Sequence, residues 1–559
     1  MSGCTDESDP DMSGGWKALA PLRDRTFRTI WLASLASNFG QLVLGVAAAW
    51  EMTRLGQSAE MIALVQTALM LPLMLVSVPA GAIADMFDRR KIALIGLCFA
   101  SACACVLTLL SVAGLASPWT MLAFCFLIGC GVALYTPAWQ ASMVEHVPVR
   151  QMSAAVSLGA VSYNIARSFG PALGGLIVMT VGATAAFGLN ALFYLPLIAA
   201  FLMWKRPHVP PRLPPERIDR AIISGLRYSL HSPPVRSVIL RSLAFGLASG
   251  VVIALLPLVA RDMLHGDAST YGLLLGAYGV GAVIGALTVS DLRERIRPEI
   301  TVRVGIVVMG LMMLVIGTSH HLALTSLALV IIGACYLLVL ALFNVSIQTS
   351  VPRWVVARSV ALYYASASGG MAFGSWMWGA MAAGYGADSA MLAAGVMTLA
   401  LPVLFLPLPL PETGIAAIDP APVDGELQVG LAISGRSGPI VVEVDYRVDP
   451  ADARAFYGKM VQIQTAKMRN GAFEWTIARD IGDPALWTER YHFPTWQDYL
   501  RHRDRLTTAD RALQAEVDAF SSLKSDDRVR RRLERPMGSV RWRAETPDPG
   551  GDNVNVFGP

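Results

Sequence analysis

Gly81-Ala-Ile-Ala-Asp85-Met-Phe-Asp88-Arg89-Arg90-Lys91 is a short charged stretch between two long apolar runs, roughly 60–84 and 91–113. A helix needs about 20 mostly apolar residues to cross the hydrocarbon core of a bilayer, and each run is long enough. The stretch therefore reads as a loop between two spanning helices, with Arg89, Arg90 and Lys91 favouring the cytoplasmic face. Asp88 is placed to cap the helix that follows. Asp85 falls at the C-terminal end of the preceding helix, where the dipole disfavours an anion. It needs a cationic or helix-N-terminal partner, and a partner in another part of the bundle would make a conformation-dependent latch.

The same criterion, carried outward, finds twelve segments: 27–50, 60–84, 91–113, 118–143, 152–180, 183–204, 238–260, 270–290, 300–318, 322–348, 358–384 and 387–408. Of the 559 residues 54% are hydrophobic and only 15% charged, against about 25% charged in a soluble domain. The deficit lies between Phe27 and Leu408. The first run is too long for a signal-peptide core and is expected to be the first membrane helix. Cys98, Cys103, Cys105, Cys125, Cys130 and Cys335 lie inside apolar runs, so no disulfide framework is implied.

Basic residues are biased to one side of this pattern. Lys17, Arg23, Arg25 and Arg28, the Arg89–Lys91 group, Arg150, the 205–236 stretch, Arg293, Arg295, Arg297, Arg353 and Arg358 fall on one side; Arg54 and Arg261 fall on the other. The bias predicts both termini and the central loop in the cytoplasm, in a multi-pass protein of the inner membrane. Within the central loop, Glu216 to Leu230 has the pattern of an amphipathic helix at the membrane surface.

The segments before and after that loop repeat at an offset of 204: Gly81 with Gly285, Arg89 with Arg293, Pro148 with Pro352, Gly170 with Gly374, Gly175 with Gly379. Parallel six-helix repeats are one transporter architecture. The expected divisions are a tail (1–26), a six-helix half (27–204), the central loop (205–236), a second half (237–408), a Pro/Gly-rich linker (409–439), a soluble domain (440–535) and a tail (536–559).

The Gly81–Lys91 stretch resembles the signature loop of the major facilitator superfamily. Gly81, Asp85, Arg89 and Arg90 fit its pattern, and Met86 and Asp88 depart from it. The fifth segment reads Asn164-Ile-Ala-Arg167-Ser-Phe-Gly170-Pro171-Ala-Leu-Gly174-Gly175. Gly170 and Gly174 form a small-residue face one turn apart, and Pro171 adds a bend. The segment resembles the Gly-Pro-x-x-Gly-Gly motif of exporters in that superfamily, which implies antiport. Arg167 is the charge nearest mid-bilayer, where an arginine costs about 2.5–3.5 kcal/mol on insertion scales. It is expected to face a cavity or a partner, with Asn164 on the same helical face. Substrate contact and a purely structural role both remain open. Asn38, Gln41, Asn344 and Gln348 are further candidates for substrate contact or gating, although each of them taken alone reads, like Gln66 and Asn190, as a helix-packing hydrogen bond. Glu51, Asp85 and Glu145 titrate but lie away from the midplane, leaving proton coupling open.

After the linker, the order strand (440–448), helix (451–468), two strands (473–479 and 485–492) and two helices (496–500 and 509–523) suggests a ferredoxin-like α+β domain. It resembles the small dimeric domains of antibiotic-biosynthesis monooxygenases, which implies dimerisation. No catalytic residue, metal cluster, cofactor site or nucleic-acid partner is expected. Trp475, Trp487 and Trp496 read as core. The run from Arg528 to Arg535 is basic, suited to anionic lipid or to a solvated helix end.

The whole arrangement resembles the enterobactin-exporter-like branch of the superfamily, the transmembrane secretion effectors. The resemblance implies a carrier that exports siderophores, drugs or similar small molecules, not an enzyme. Uptake, or a C-terminal domain acting as a tethered oxygenase-like enzyme or as a ligand sensor, are the alternatives.

Overall fold

The computed structural model describes residues 20–143, 152–204, 218–352, 355–410, 429–431, 433–523 and 528–534. Lys17, Glu145, Pro148, Arg150, Arg353, most of the linker, residues 1–19 of the first tail and all of the last tail lie outside them. The contacts divide the chain into two units, one of residues 1–218, 239–345 and 361–410, the other of 219–238, 346–360 and 411–559.

The helices of the membrane portion are α1 (Arg25–Arg54), α2 (Ala59–Met86), α3 (Arg89–Val112), α4 (Pro118–Met143), α5 (Met152–Val181) and α6 (Ala183–Met203). They continue with α7 (Ile218–His231), α8 (Pro233–Leu258), α9 (Ala268–Arg295), α10 (Pro298–Thr318), α11 (Leu322–Gln348) and α12 (Val356–Leu404). Side-chain caps open several of them. Asp24 accepts from the Phe27 amide at 2.7 Å, Asp88 from the Arg90 amide at 2.9 Å and Asp267 from those of Ser269 and Thr270.

Ten helices, α1–α4, α6 and α8–α12, are long and apolar enough among the described residues to cross a membrane. α5 is a further 30-residue helix with Arg167 at its centre. The expected boundary between 358–384 and 387–408 coincides with a break inside α12 at Gly386, where φ is 89° and ψ 158°. Glycine adopts that conformation without a Cβ clash, so no loop is needed at the bend. The bundle turns large apolar side chains outward: Leu75, Leu109, Leu195, Leu287 and Val403 are all at least half exposed. Such a surface suits a bilayer and would aggregate in water.

The C-terminal part of the second unit comprises β1 (Ile440–Arg447), α13 (Ala453–Arg469), β2 (Phe473–Arg479), β3 (Leu486–Phe493), α14 (Trp496–Arg505), α15 (Thr508–Asp518) and β4 (Val529–Leu533). The sheet runs β2-β3-β1-β4 with every neighbour antiparallel. Period-two alternation on β1 turns Val442, Val444 and Tyr446 onto Phe456, Met460 and Ile463 of α13. Trp475, Trp487 and Trp496 pack at the margin of that core.

The basic run is not a helix end; from Val529 to Leu533 it supplies strand β4. Arg530 pairs with Asp445 at 3.2 Å, Arg532 with Glu443 at 3.2 Å and buried Arg528 with Asp518 at 2.5 Å, while Arg531 donates to Tyr499 Oη. Alternating arginines find carboxylates on β1 because the two strands pair directly.

Candidate functional site

Arg167 projects from the middle of α5. Its guanidinium carbon lies 4.7 Å from the ring centroid of Tyr336 on α11, a cation–π contact. Tyr336 is buried, stacks on Phe245 of α8 at 5.6 Å and lies 6.1 Å from the ring of Tyr278 on α9. Its hydroxyl donates to Met371 Sδ at 3.2 Å. Tyr163, one turn before Arg167, and Tyr278, Tyr363 and Tyr364 all lie within electrostatic reach of the guanidinium. Asn344 Nδ2 donates to Tyr364 Oη at 3.0 Å and joins the same phenolic wall.

Among the described residues no carboxylate pairs with Arg167. A desolvated cation–π contact returns about 2 kcal/mol, and the fork of donors is left with capacity for a ligand's acceptors. Arg241, the other buried cation of the bundle, differs. Its side chain is fully buried, grips both carboxylate oxygens of Glu299 at 2.8 and 2.9 Å, and donates to the Phe405 carbonyl. Glu299 also accepts from Arg303 and from the Leu410 amide. Arg241 is thus structural, tying α8, α10 and the end of α12 together.

The glycine motif on α5 has two faces. A Cβ on Gly170 would stand 2.9 Å from Leu42 Cβ, and one on Gly174 3.1 Å from Val46 Cβ, both on α1. A Cβ on Gly175 would collide with the Cα of Gly272 on α9. Pro171 is buried between them. At the same end of the bundle, Trp50 stacks on Tyr271 at 5.5 Å and Arg261 donates to the Thr53 carbonyl. A Cβ on Gly379 would collide with Ala63. Deeper, Thr67 Oγ1 donates to the Ala372 carbonyl at 2.9 Å. These contacts join α1–α6 to α8–α12 and close the end that carries Arg54 and Arg261.

At the opposite end Asp85 stands in the last turn of α2; its side chain, like that of Asn164, lies outside the described residues. Arg90 donates from Nε and Nη2 to the carbonyls of Phe201 and Leu202 at 2.7 Å, capping α6 within the first group of helices. A Cβ on Gly81 would meet nothing within 4 Å, and Arg89 begins α3. Asn38 and Gln41 are half-buried, one turn apart on α1; Gln348 is exposed at the end of α11. No described contact links Asn38 or Gln41 to Arg167. Asn190 packs against Gly40, but neither of its polar atoms finds a partner among the described residues, so the expected packing hydrogen bond is missing.

The tyrosine wall and the Arg241–Glu299 pair escaped the sequence reading. A tyrosine inside an apolar run is an ordinary residue, and these come from four helices. Glu299 was a better signal: it is an acid next to a predicted span, at the level of a cation on another.

A family model described as transmembrane secretion effector matches residues 16–537. The multidrug efflux pump Tap of Mycolicibacterium fortuitum is 26% identical over 388 residues, 67% of this chain and 93% of that protein. The enterobactin exporter EntS of Citrobacter koseri is 24% identical over 378 residues, 64% of this chain and 85% of that protein. Among solved structures, a bacterial homologue of the human lysosomal transporter Spinster, inward-facing and unoccupied, aligns with a TM-score of 0.55 at 14% identity. The alignment covers 70% of this chain and 97% of that one. At that identity the likeness carries the fold alone, that of a major facilitator. With a polytopic apolar bundle closed at one end and a family match over nearly the whole chain, the protein belongs to the transmembrane secretion effector family of major facilitator transporters.

Proposed function

We infer that the protein is a secondary exporter of small drug-like or siderophore-like molecules, working by alternating access. Arg167 carries this reading: a mid-membrane cation with no described carboxylate partner, resting on a tyrosine across the seam between the two groups of helices. A substrate that offers oxygen acceptors to Arg167 would compete with Tyr336 and so change how the groups meet. Asn164, Asn38, Gln41, Asn344 and Gln348 complete the proposed path. The efflux pumps among its relatives support outward transport.

On this account twelve helices span the inner membrane as two six-helix repeats, counting α5 and both parts of α12, with both termini cytoplasmic. The lysine and arginine bias supports that orientation. Gly81, Asp85, Arg89 and Arg90 form the conformational latch at the cytoplasmic end, opposite the closed one. Gly170, Pro171, Gly174 and Gly175 set the packing of α5, and their resemblance to the exporter motif supports antiport, with proton coupling as the form to be tested. The strand order β2-β3-β1-β4 supports a ferredoxin-like C-terminal domain, through which the carrier dimerises. The test compares accumulation of siderophores and dyes in inside-out and right-side-out vesicles, with and without a proton gradient. Gradient-dependent accumulation in inside-out vesicles is expected; accumulation only in right-side-out vesicles would make the protein an uptake carrier.

A further inference from the structure

Helix α7 is amphipathic the wrong way round for a helix in water. Ile223, Leu226 and Leu230 are 52%, 45% and 55% exposed, while Tyr228 and Ser229 are 3% and 1% exposed. At about 100° per residue the three apolar side chains share an arc of about 60°. Gly225, Tyr228, Ser229 and Ser232 are buried on the opposite arc.

The buried side is occupied by protein of the same unit. A Cβ on Gly225 would stand 3.0 Å from the side chain of Arg358. The Arg469 guanidinium lies 5.6 Å from the Tyr228 ring centroid. Arg469 is fixed in turn by Asp510 at 2.6 Å, and Asp510 also holds Asn470 and caps α15. At the edge of the apolar stripe, Arg227 Nη1 donates to the Gly471 carbonyl at 3.1 Å. Arg469, Asn470 and Gly471 form the turn between α13 and β2, so α7 grips the C-terminal domain through one turn. Only Ser232 separates α7 from α8, which begins a stretch long and apolar enough to cross a membrane.

We propose that α7 is a two-faced bracket: its Ile223-Leu226-Leu230 stripe lies in the acyl–headgroup interface, and its Arg227–Tyr228 side carries the C-terminal domain. An amphipathic helix with its apolar side sunk in the interface leaves its polar side for other partners, the arrangement seen here.

The test uses the full-length chain with its cysteines replaced, in vesicles of zwitterionic and anionic phospholipid, spin-labelled at Leu226→Cys or, independently, Ile223→Cys. Collision with oxygen several-fold more frequent than with a water-soluble nickel chelate is the expected result. Free access of the chelate, or exclusion of both reagents with spin–spin broadening between copies, overturns the lipid assignment; the latter makes the stripe a contact with a second copy. A second pair of labels, at Leu226→Cys and Ile481→Cys, reads the mount. A narrow distance distribution that broadens in Arg227→Ala/Tyr228→Ala supports the bracket. A distribution equally narrow in that variant, or broad before substitution, overturns it.

Discussion

The guanidinium of Arg167 rests 4.7 Å above the ring of Tyr336, and the two residues belong to helices on opposite sides of the central segment. A contact of this kind can be made in one arrangement of the helices and broken in another, which is what the role proposed for Arg167 requires. The second buried cation is locked by Glu299 and has no such freedom.

The contrast can be measured. Glu299→Ala leaves Arg241 buried without its carboxylate, and removing one partner of a buried pair costs about 3–5 kcal/mol. The variant is expected to fall in membrane abundance, with the remaining molecules transporting at a normal rate. Replacing Arg241 by Met and Glu299 by Leu together should recover much of the abundance. Normal levels of the single variant, by immunoblot of membranes, would show that the pair is not structural.

Asp85→Asn should slow transport more than it weakens substrate binding. A latch biases populations of states and touches no substrate. Transport rate and equilibrium binding are to be measured on one preparation. A large loss of affinity at unchanged rate contradicts the latch.

Gly175→Ala adds a methyl group where the Cα of Gly272 already stands, so α5 and α9 must separate at the closed end. The variant should insert normally and transport several-fold more slowly, and a cysteine at Trp50 should react faster with membrane-impermeant reagents. Unchanged transport and reactivity would mean that this approach does not hold the end shut.

Burial of the His502 ring, with Lys467 close by, pushes its pKa from 6.5 to about 3. The unfolded chain takes up the proton below about pH 6.5 and the folded domain resists it, so this contribution is absent above 6.5 and grows as pH falls towards 3. The thermal midpoint of residues 429–535 should therefore fall with acidification, and the gap to His502→Gln should narrow over that window. Parallel curves for the two proteins would contradict the assignment.

Much of this was legible in the sequence because the bilayer imposes length and polarity on every span. The break between α2 and α3, the cap at Asp88 and the place of Arg167 inside an apolar run follow from charge set against apolar length; the expected loop over 81–91 shrinks to Phe87 and Asp88, because the helices run on through the charged residues. The wall of Tyr278, Tyr336, Tyr363 and Tyr364 was not legible, since nothing local marks which face of each helix turns inward. Strand β4 was missed because five arginines between Arg528 and Arg535 read as solvated surface until β1 supplies Glu443 and Asp445 opposite them. The bonds of Arg90 to the carbonyls at the end of α6 were not legible either, because they depend on where another helix ends.

Transport per molecule of membrane-inserted protein, compared between wild type, Arg167→Ala and Arg167→Lys in inside-out vesicles, tests the central claim most directly. Alanine removes both the cation–π contact and the donors. Lysine keeps the charge but not the planar fork that can bond an acceptor while stacked on Tyr336. The account predicts transport abolished in Arg167→Ala and little of it restored in Arg167→Lys, at comparable abundance. Wild-type transport per molecule by Arg167→Ala would contradict it, whatever happens to expression.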